Sequence, residues 1–111
     1  MAVSQSQASQ IWHGQAGALS RAGDYQAAVE RYKRVLKSNP EDVNAWVKHG
    51  YACYELGHQD LALQSFANAI RLMAEEPRAW HGRGLVYAHK GDFVEALASF
   101  DRVIELQSQN T

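Results

Sequence analysis

The chain lacks most of what would mark it for a secretory route, a membrane or a polyanion. It holds one cysteine, Cys53, in 111 residues. A single thiol closes no internal disulfide, so the expected setting is a reducing compartment, the cytoplasm. Formal net charge is −1, from 11 Lys and Arg against 12 Asp and Glu. No global field therefore draws the molecule onto nucleic acid or an anionic membrane, and neither is an expected partner. No apolar run approaches the roughly 20 residues of a bilayer-spanning helix. The opening MAVSQSQASQ has neither the basic region nor the apolar core of a signal peptide. There is no phosphate-loop or dinucleotide signature: Gly82 and Gly84 fall inside a helical pattern, not after a strand.

What is present is a period. Hydrophobic residues make up 46% and charged residues 21% of the chain, ordinary values for one globular domain. Trp12, Trp46 and Trp80 are 34 residues apart, as are Gly23, Gly57 and Gly91. Ala28, Ala62 and Ala96 keep the same step, and so do Tyr32, Phe66 and Phe100. Val35, Ala69 and Val103, then Leu36, Ile70 and Ile104, complete the pattern. Columns that share one period without insertion indicate a tandem array of one supersecondary unit.

Each unit reads as two helices. In the second unit, residues 45 to 56 form the first and residues 60 to 73 the second. The glycine column supplies a residue able to take positive φ just past a helix end. The second helices carry apolar residues at helical spacing, such as Leu63, Phe66, Ala69 and Ile70. Small Ala28, Ala62 and Ala96 let two helices approach while the aromatic four residues later fills the space beside them. Asp92 with Glu95 fits a capping box, and Pro40 and Pro77 lie between units, where a helix must stop. Trp46 and Phe66, in the unit with neighbours on both sides, are expected to be the most buried aromatics. Residues 1–8 and 107–111, rich in Ser and Gln, read as flexible ends.

These columns resemble the tetratricopeptide repeat family, with units at 9–42, 43–76 and 77–110. The resemblance implies an all-α fold: a right-handed superhelical solenoid of three helix-turn-helix repeats, six helices in all. The sequence departs from the family pattern in places. The leucine three residues after the Trp is Gln15, His49 and Arg83, although the small residue that follows is kept as Ala16, Gly50 and Gly84. The tyrosine column holds Leu19, Cys53 and Tyr87, and of the closing prolines only Pro40 remains. First helices with such residues are expected to lay long polar stems over apolar surface.

The resemblance further implies a concave recognition groove lined by the first helix of each unit. Unit one would contribute His13, with Gln10, Gly14, Gly17 and Arg21 around it. Unit two would contribute Asn44, Val47, Lys48, Tyr51 and Tyr54, with Glu55 as the single acid. Unit three would contribute Arg78, His81, Leu85 and His89. Arg21, Lys48 and Arg78 outnumber Glu55, and the tyrosines, Val47 and Leu85 offer apolar anchorage. The implied function is non-catalytic: an adaptor or scaffold holding a protein or peptide ligand with hydrophobic anchors and some acidic character. Chaperone-binding members clamp a C-terminal carboxylate with Lys, Asn, Asn, Lys and Arg. Here those positions hold His13, Gly17, Lys48, Arg78 and Gly82, so clamp-type binding of heat-shock protein tails is disfavoured.

Other residues invite chemistry that the pattern absorbs. His49 and Cys53 share a helix face as a catalytic pair would, but both occupy packing columns and no third orienting group is identifiable. His81 and His89 are eight residues apart, about 12 Å along a helix, and His13 and His81 sit two units apart. Zinc needs ligands at about 2 Å, so no metal or other cofactor is expected. The basic run Arg31, Lys33, Arg34, Lys37 fills the last turns of a helix, where cations complement the macrodipole. Two further roles are compatible with the array. Leu97 and Ile104 of the last unit would lie bare, which favours a self-assembling structural module, a homo-oligomer joined through its C-terminal face. The Glu76-Pro77-Arg78 junction is similar to that of the three-repeat secretion chaperones, although the Trp columns are not.

Overall fold

The computed structural model describes residues 3–109. Six helices follow one another: α1 Gln5–Arg21, α2 Tyr25–Ser38, α3 Val43–Glu55, α4 Gln59–Leu72, α5 Pro77–Lys90 and α6 Phe93–Ser108. Among the described residues there is no strand. The pairs α1/α2, α3/α4 and α5/α6 are antiparallel hairpins stacked side by side into a helical solenoid with extents of 52 × 31 × 20 Å.

The period acts first on the turns. Gly23, Gly57 and Gly91 take φ of +84°, +78° and +84°, a region that side chains with a Cβ disfavour. In each turn the amide of the following residue donates five residues back: Asp24 to Leu19, His58 to Cys53 and Asp92 to Tyr87, at 2.8–2.9 Å. This closes the orphan carbonyls of the first helix and sends the chain back along it. The Trp column acts on the next connection. Trp46 Nε1 donates to the Pro40 carbonyl at 2.7 Å, and Trp80 Nε1 to the Ala74 carbonyl at 2.8 Å. Each indole thus pins the loop that leads into its own helix.

Packing follows from the small and aromatic columns. Ala28 and Ala62 are wholly buried and Ala96 nearly so. Tyr32 and Phe66 are the largest fully buried side chains. Phe66 is wedged between two helices of different units. A Cβ on Gly50 of α3 would fall 2.7 Å from its ring, and one on Gly82 of α5 only 2.3 Å. Glycine at both places is therefore a steric requirement of the ring.

The structure corrects several expectations. Trp46 is only half-buried, since its ring lies along the inter-unit loop while Phe66 takes the space between helices. The first helix starts at Gln5, inside the stretch expected to be flexible, because Ser4 and Gln7 form a reciprocal capping box. At the other end α6 continues to Ser108; residues 1, 2, 110 and 111 of the expected tails lie outside the described residues. Asp92 is the N-cap of α6 but makes no side-chain capping bond, and Glu95 turns instead to Arg83. Pro77 does not end a helix. It opens α5, where its missing N–H would have had no partner.

Candidate interaction face

The first helices α1, α3 and α5 carry every residue expected to line a groove. Side-chain bonds join α3 to α5 there. The Tyr51 hydroxyl donates to the Arg78 carbonyl at 2.8 Å and lies 3.0 Å from His81 Nδ1. The phenol has one proton, so both contacts are made when Nδ1–H of His81 donates to the phenol oxygen. Burial pushes the Tyr51 hydroxyl up to about 12, with Arg78 opposing and Glu76 adding to the shift, so it stays a phenol at neutral pH. Asn44 Oδ1 accepts from Arg78 Nη1 at 2.9 Å, and Arg78 also pairs with Glu76. Further along, the Tyr54 hydroxyl lies 3.1 Å from His89 Nδ1, with the two rings edge-on.

The structure thus brings Asn44, Tyr51, Arg78 and His81 into one network, and Tyr54 with His89 into a second contact. Lys48 is exposed and Leu85 half-buried on the same helices. Two assignments need correction. Val47 is 1% exposed and packs in the central core, so it offers nothing to a ligand. His13 is half-buried, with Nε2 2.9 Å from Oδ2 of Asp42, and its ring meets Tyr32 edge-on; it ties α1 to the start of α3. Tyr51 is also partly structural, its ring standing edge-on to Phe66 at 5.0 Å.

A polar pairing beneath this face escaped sequence reasoning. His49 Nδ1 lies 2.6 Å from Ser65 Oγ, and Arg83 Nη1 donates to Ser99 Oγ at 2.7 Å. Both pairs span 16 residues and sit one period apart. Comparing the column 15, 49, 83 with the column 31, 65, 99 would have found them. In unit one the column holds Arg31, whose Nε is enclosed without a hydrogen-bond partner. The Arg83 guanidinium also covers the rings of Tyr87 and Trp80, at 4.9 and 5.6 Å, the polar stem over apolar surface that the departures implied.

His49 and Cys53 are both buried, with Sγ 3.8 Å from Nε2. Burial, aided by Lys33, lowers His49 to about 4, and burial raises the Cys53 thiol. The pair is neutral, the opposite of the charge state that activates a thiolate. Among the described residues no group of three or more His, Cys, Asp or Glu is placed to hold a metal ion. No helix among them is long and apolar enough to cross a membrane.

The repeat pattern matches a family model directly. The model for the tetratricopeptide repeat fits residues 13–74 and again 48–111. The chain belongs to the tetratricopeptide repeat family. Solved tetratricopeptide proteins overlay on it closely. The Arabidopsis OM64 TPR domain is 22% identical, with a TM-score of 0.92 over 97% of this chain and 89% of its own. A crystal structure of MamA is 24% identical, with a TM-score of 0.87 over 92% of this chain and 60% of its own. The second TPR of Spaghetti (RPAP3), bound to the HSP90 peptide SRMEEVD, is 21% identical, with a TM-score of 0.86 over 90% and 93%. At these identities the likeness shows the fold. This chain spans about 60% of the MamA chain. Among the curated proteins none matches the sequence.

Proposed function

We propose that this tetratricopeptide protein is a non-catalytic adaptor that holds a peptide, or a segment of a partner protein, on the face formed by α1, α3 and α5. The observation that carries the reading is a charge imbalance beside exposed aromatic edges. Arg21 and Lys48 have no ion-pair partner among the described residues, and the tyrosines of α3 lie beside them. A ligand with apolar anchors and carboxylates complements such a face. The RPAP3 domain, which holds an acidic peptide on the same fold, supports the class of ligand. Its terminal motif is not the ligand favoured here. At the positions that resemble the carboxylate clamp, Gly82 has no room for a side chain against Phe66, His13 is engaged by Asp42, and Arg78 is engaged by Glu76 and Asn44. The buried, neutral Cys53 thiol fits a reducing compartment, and we place the protein in the cytoplasm.

Affinity capture with tandem mass spectrometry identifies the partner, and charge reversal then tests the face. Lys48→Glu is expected to weaken the captured interaction with no loss of thermal stability, because Lys48 is exposed and unpaired. Undiminished binding by Lys48→Glu and by Arg21→Glu would place the partner elsewhere.

A second reading rests on α6. Phe93, Val94, Leu97 and Ile104 are 70%, 82%, 63% and 60% exposed. One and two periods earlier, Leu97 and Ile104 correspond to Leu63 and Ile70, which are half-buried, and to Val29 and Leu36, which are buried in clusters shared with the next unit's first helix. We infer that this bare face joins a second copy of the chain, giving a homo-oligomer.

A further inference from the structure

The repeat provides its own template for what the groove accepts. Position 17 of α1 corresponds by the 34-residue step to Tyr51 of α3 and Leu85 of α5. In unit two the place is filled from within: the Tyr51 ring stands edge-on to Phe66, and its hydroxyl reaches over to unit three. In unit one the residue is Gly17, so this position sends no ring towards Tyr32, the counterpart of Phe66, which His13 meets edge-on from one turn earlier in α1. What remains is a cavity of about 360 Å³ between α1, α2 and α3. Gly17, Tyr25, Tyr32 and Tyr51 line it, and Arg21, Lys48 and Glu55 are the charged part of its lining. Its size is at the small end of ligand pockets, which run roughly from 300 to 1,000 Å³.

We propose that this cavity receives a phenylalanine side chain of an extended partner peptide in which an acidic residue adjoins that phenylalanine. The proposal rests on the reading of α1, α3 and α5 as a peptide-binding face. An aromatic ring restores, from outside, the contact that Gly17 leaves unmade. The chemistry at the far end selects phenylalanine over tyrosine. In unit two the phenol takes two partners, the Arg78 carbonyl and His81; one unit earlier the place of His81 is held by Val47, so a tyrosine hydroxyl would lose the imidazole partner and keep at most a backbone acceptor. Arg21 and Lys48 then meet the neighbouring carboxylate, and Glu55 is the one acid in the lining. The same two cations oppose a methylammonium group, the other ligand class that three tyrosines suit.

The test titrates the full chain with the capped pentapeptide acetyl-Glu-Asp-Phe-Asp-Glu-amide, followed by amide NMR shifts. The expected result is saturable shifts at Gly17, Ser20 and Lys48. Replacing the peptide's phenylalanine by alanine should weaken binding by more than about tenfold, and by tyrosine should weaken it measurably. Gly17→Leu and Gly17→Tyr fill the cavity from the protein side and should each weaken binding by more than about tenfold. Neither should lower the melting temperature, because a Cβ at Gly17 meets only the end of Arg21, at 3.4 Å, and glycine is a poor helix former. Undiminished binding by both variants overturns the pocket. If Lys48→Glu weakens that same binding, the peptide face itself stands and only the pocket falls. A pentapeptide that shifts no residue of α1, α3 or α5 at millimolar concentration also overturns the pocket, and the face is then judged by the charge-reversed proteins against the captured partner.

Discussion

Phe66 and His49 show how much single side chains decide in this array. Phe66 has no exposed surface and touches two units through the glycines on either side. Its truncation to alanine leaves a void that helices on both sides would have to collapse into, and should cost roughly 3–5 kcal/mol. Trp46→Ala should cost clearly less, because the indole is half-exposed and holds one loop by one hydrogen bond. Urea denaturation of the two variants checks the order, and equal losses would contradict it. His49 makes stability depend on pH. Its folded pKa, about 4, lies below the ordinary 6.5, so between these values the unfolded chain binds the extra proton. Stability therefore falls as pH drops from about 6.5 towards 4, and the contribution of this group is exhausted below that. A His49→Gln variant should show a flatter profile over that window; a profile of unchanged slope would mean that other groups set it.

At the scale of helices, the α3–α5 joint carries its own test. Tyr51→Phe keeps the ring against Phe66 but removes the hydroxyl shared by the Arg78 carbonyl and His81. Each of the two bonds is worth about 0.5–1.5 kcal/mol net, so a loss of about 1–3 kcal/mol is expected from thermal denaturation. This joint also marks where sequence reading ran out. The helices and turns were legible because each depends on a residue acting near itself: a glycine past a helix end, a tryptophan pinning its own loop, an alanine admitting a neighbour. The face was harder. Val47 and Lys48 are adjacent in sequence, yet one is core and the other exposed, because the helix turns the first towards the cluster around Phe66 and the second towards solvent. Tyr51 and Arg78 looked like free ligands until the structure placed one against the backbone of the other. The cavity at Gly17 was invisible for the same reason, since its walls come from three helices and its meaning comes from Tyr51 in the next unit. Asp92 illustrates the converse: the residue stands at the helix start as its type indicated, but Arg83 draws away the glutamate that the capping box needed.

For the whole molecule, the state of assembly turns on the exposed apolar face at the α6 end of the stack. The α6 face is apolar at positions that α2 buries and α4 half-buries, and it extends beyond the repeat through Val94, whose counterparts Gln26 and Asp60 are polar. Sedimentation velocity over a concentration series is expected to show association, and Leu97→Glu with Ile104→Glu should hold the protein monomeric with little effect on its melting. A wild-type chain that sediments as a monomer throughout would remove the oligomer reading.

The wedge at Phe66 has a consequence for motion. Its ring interlocks with both α3 and α5, so the second and third hairpins cannot separate without stripping a fully buried aromatic ring of its contacts. The earlier boundary lacks the second of these glycines: there Lys48 takes the place of Gly82 and is exposed, so the buried Tyr32 ring has no glycine of α3 at that place to close on it. A linear array with unequal couplings opens first at its weakest seam. Native-state amide exchange should therefore reveal two cooperative units, α1 and α2 exchanging through a partial opening while α3 to α6 exchange together near the global limit. The seam that opens is the one beside the Gly17 cavity, so a ligand lodged there would act as a bolt across it and slow exchange in α1 and α2.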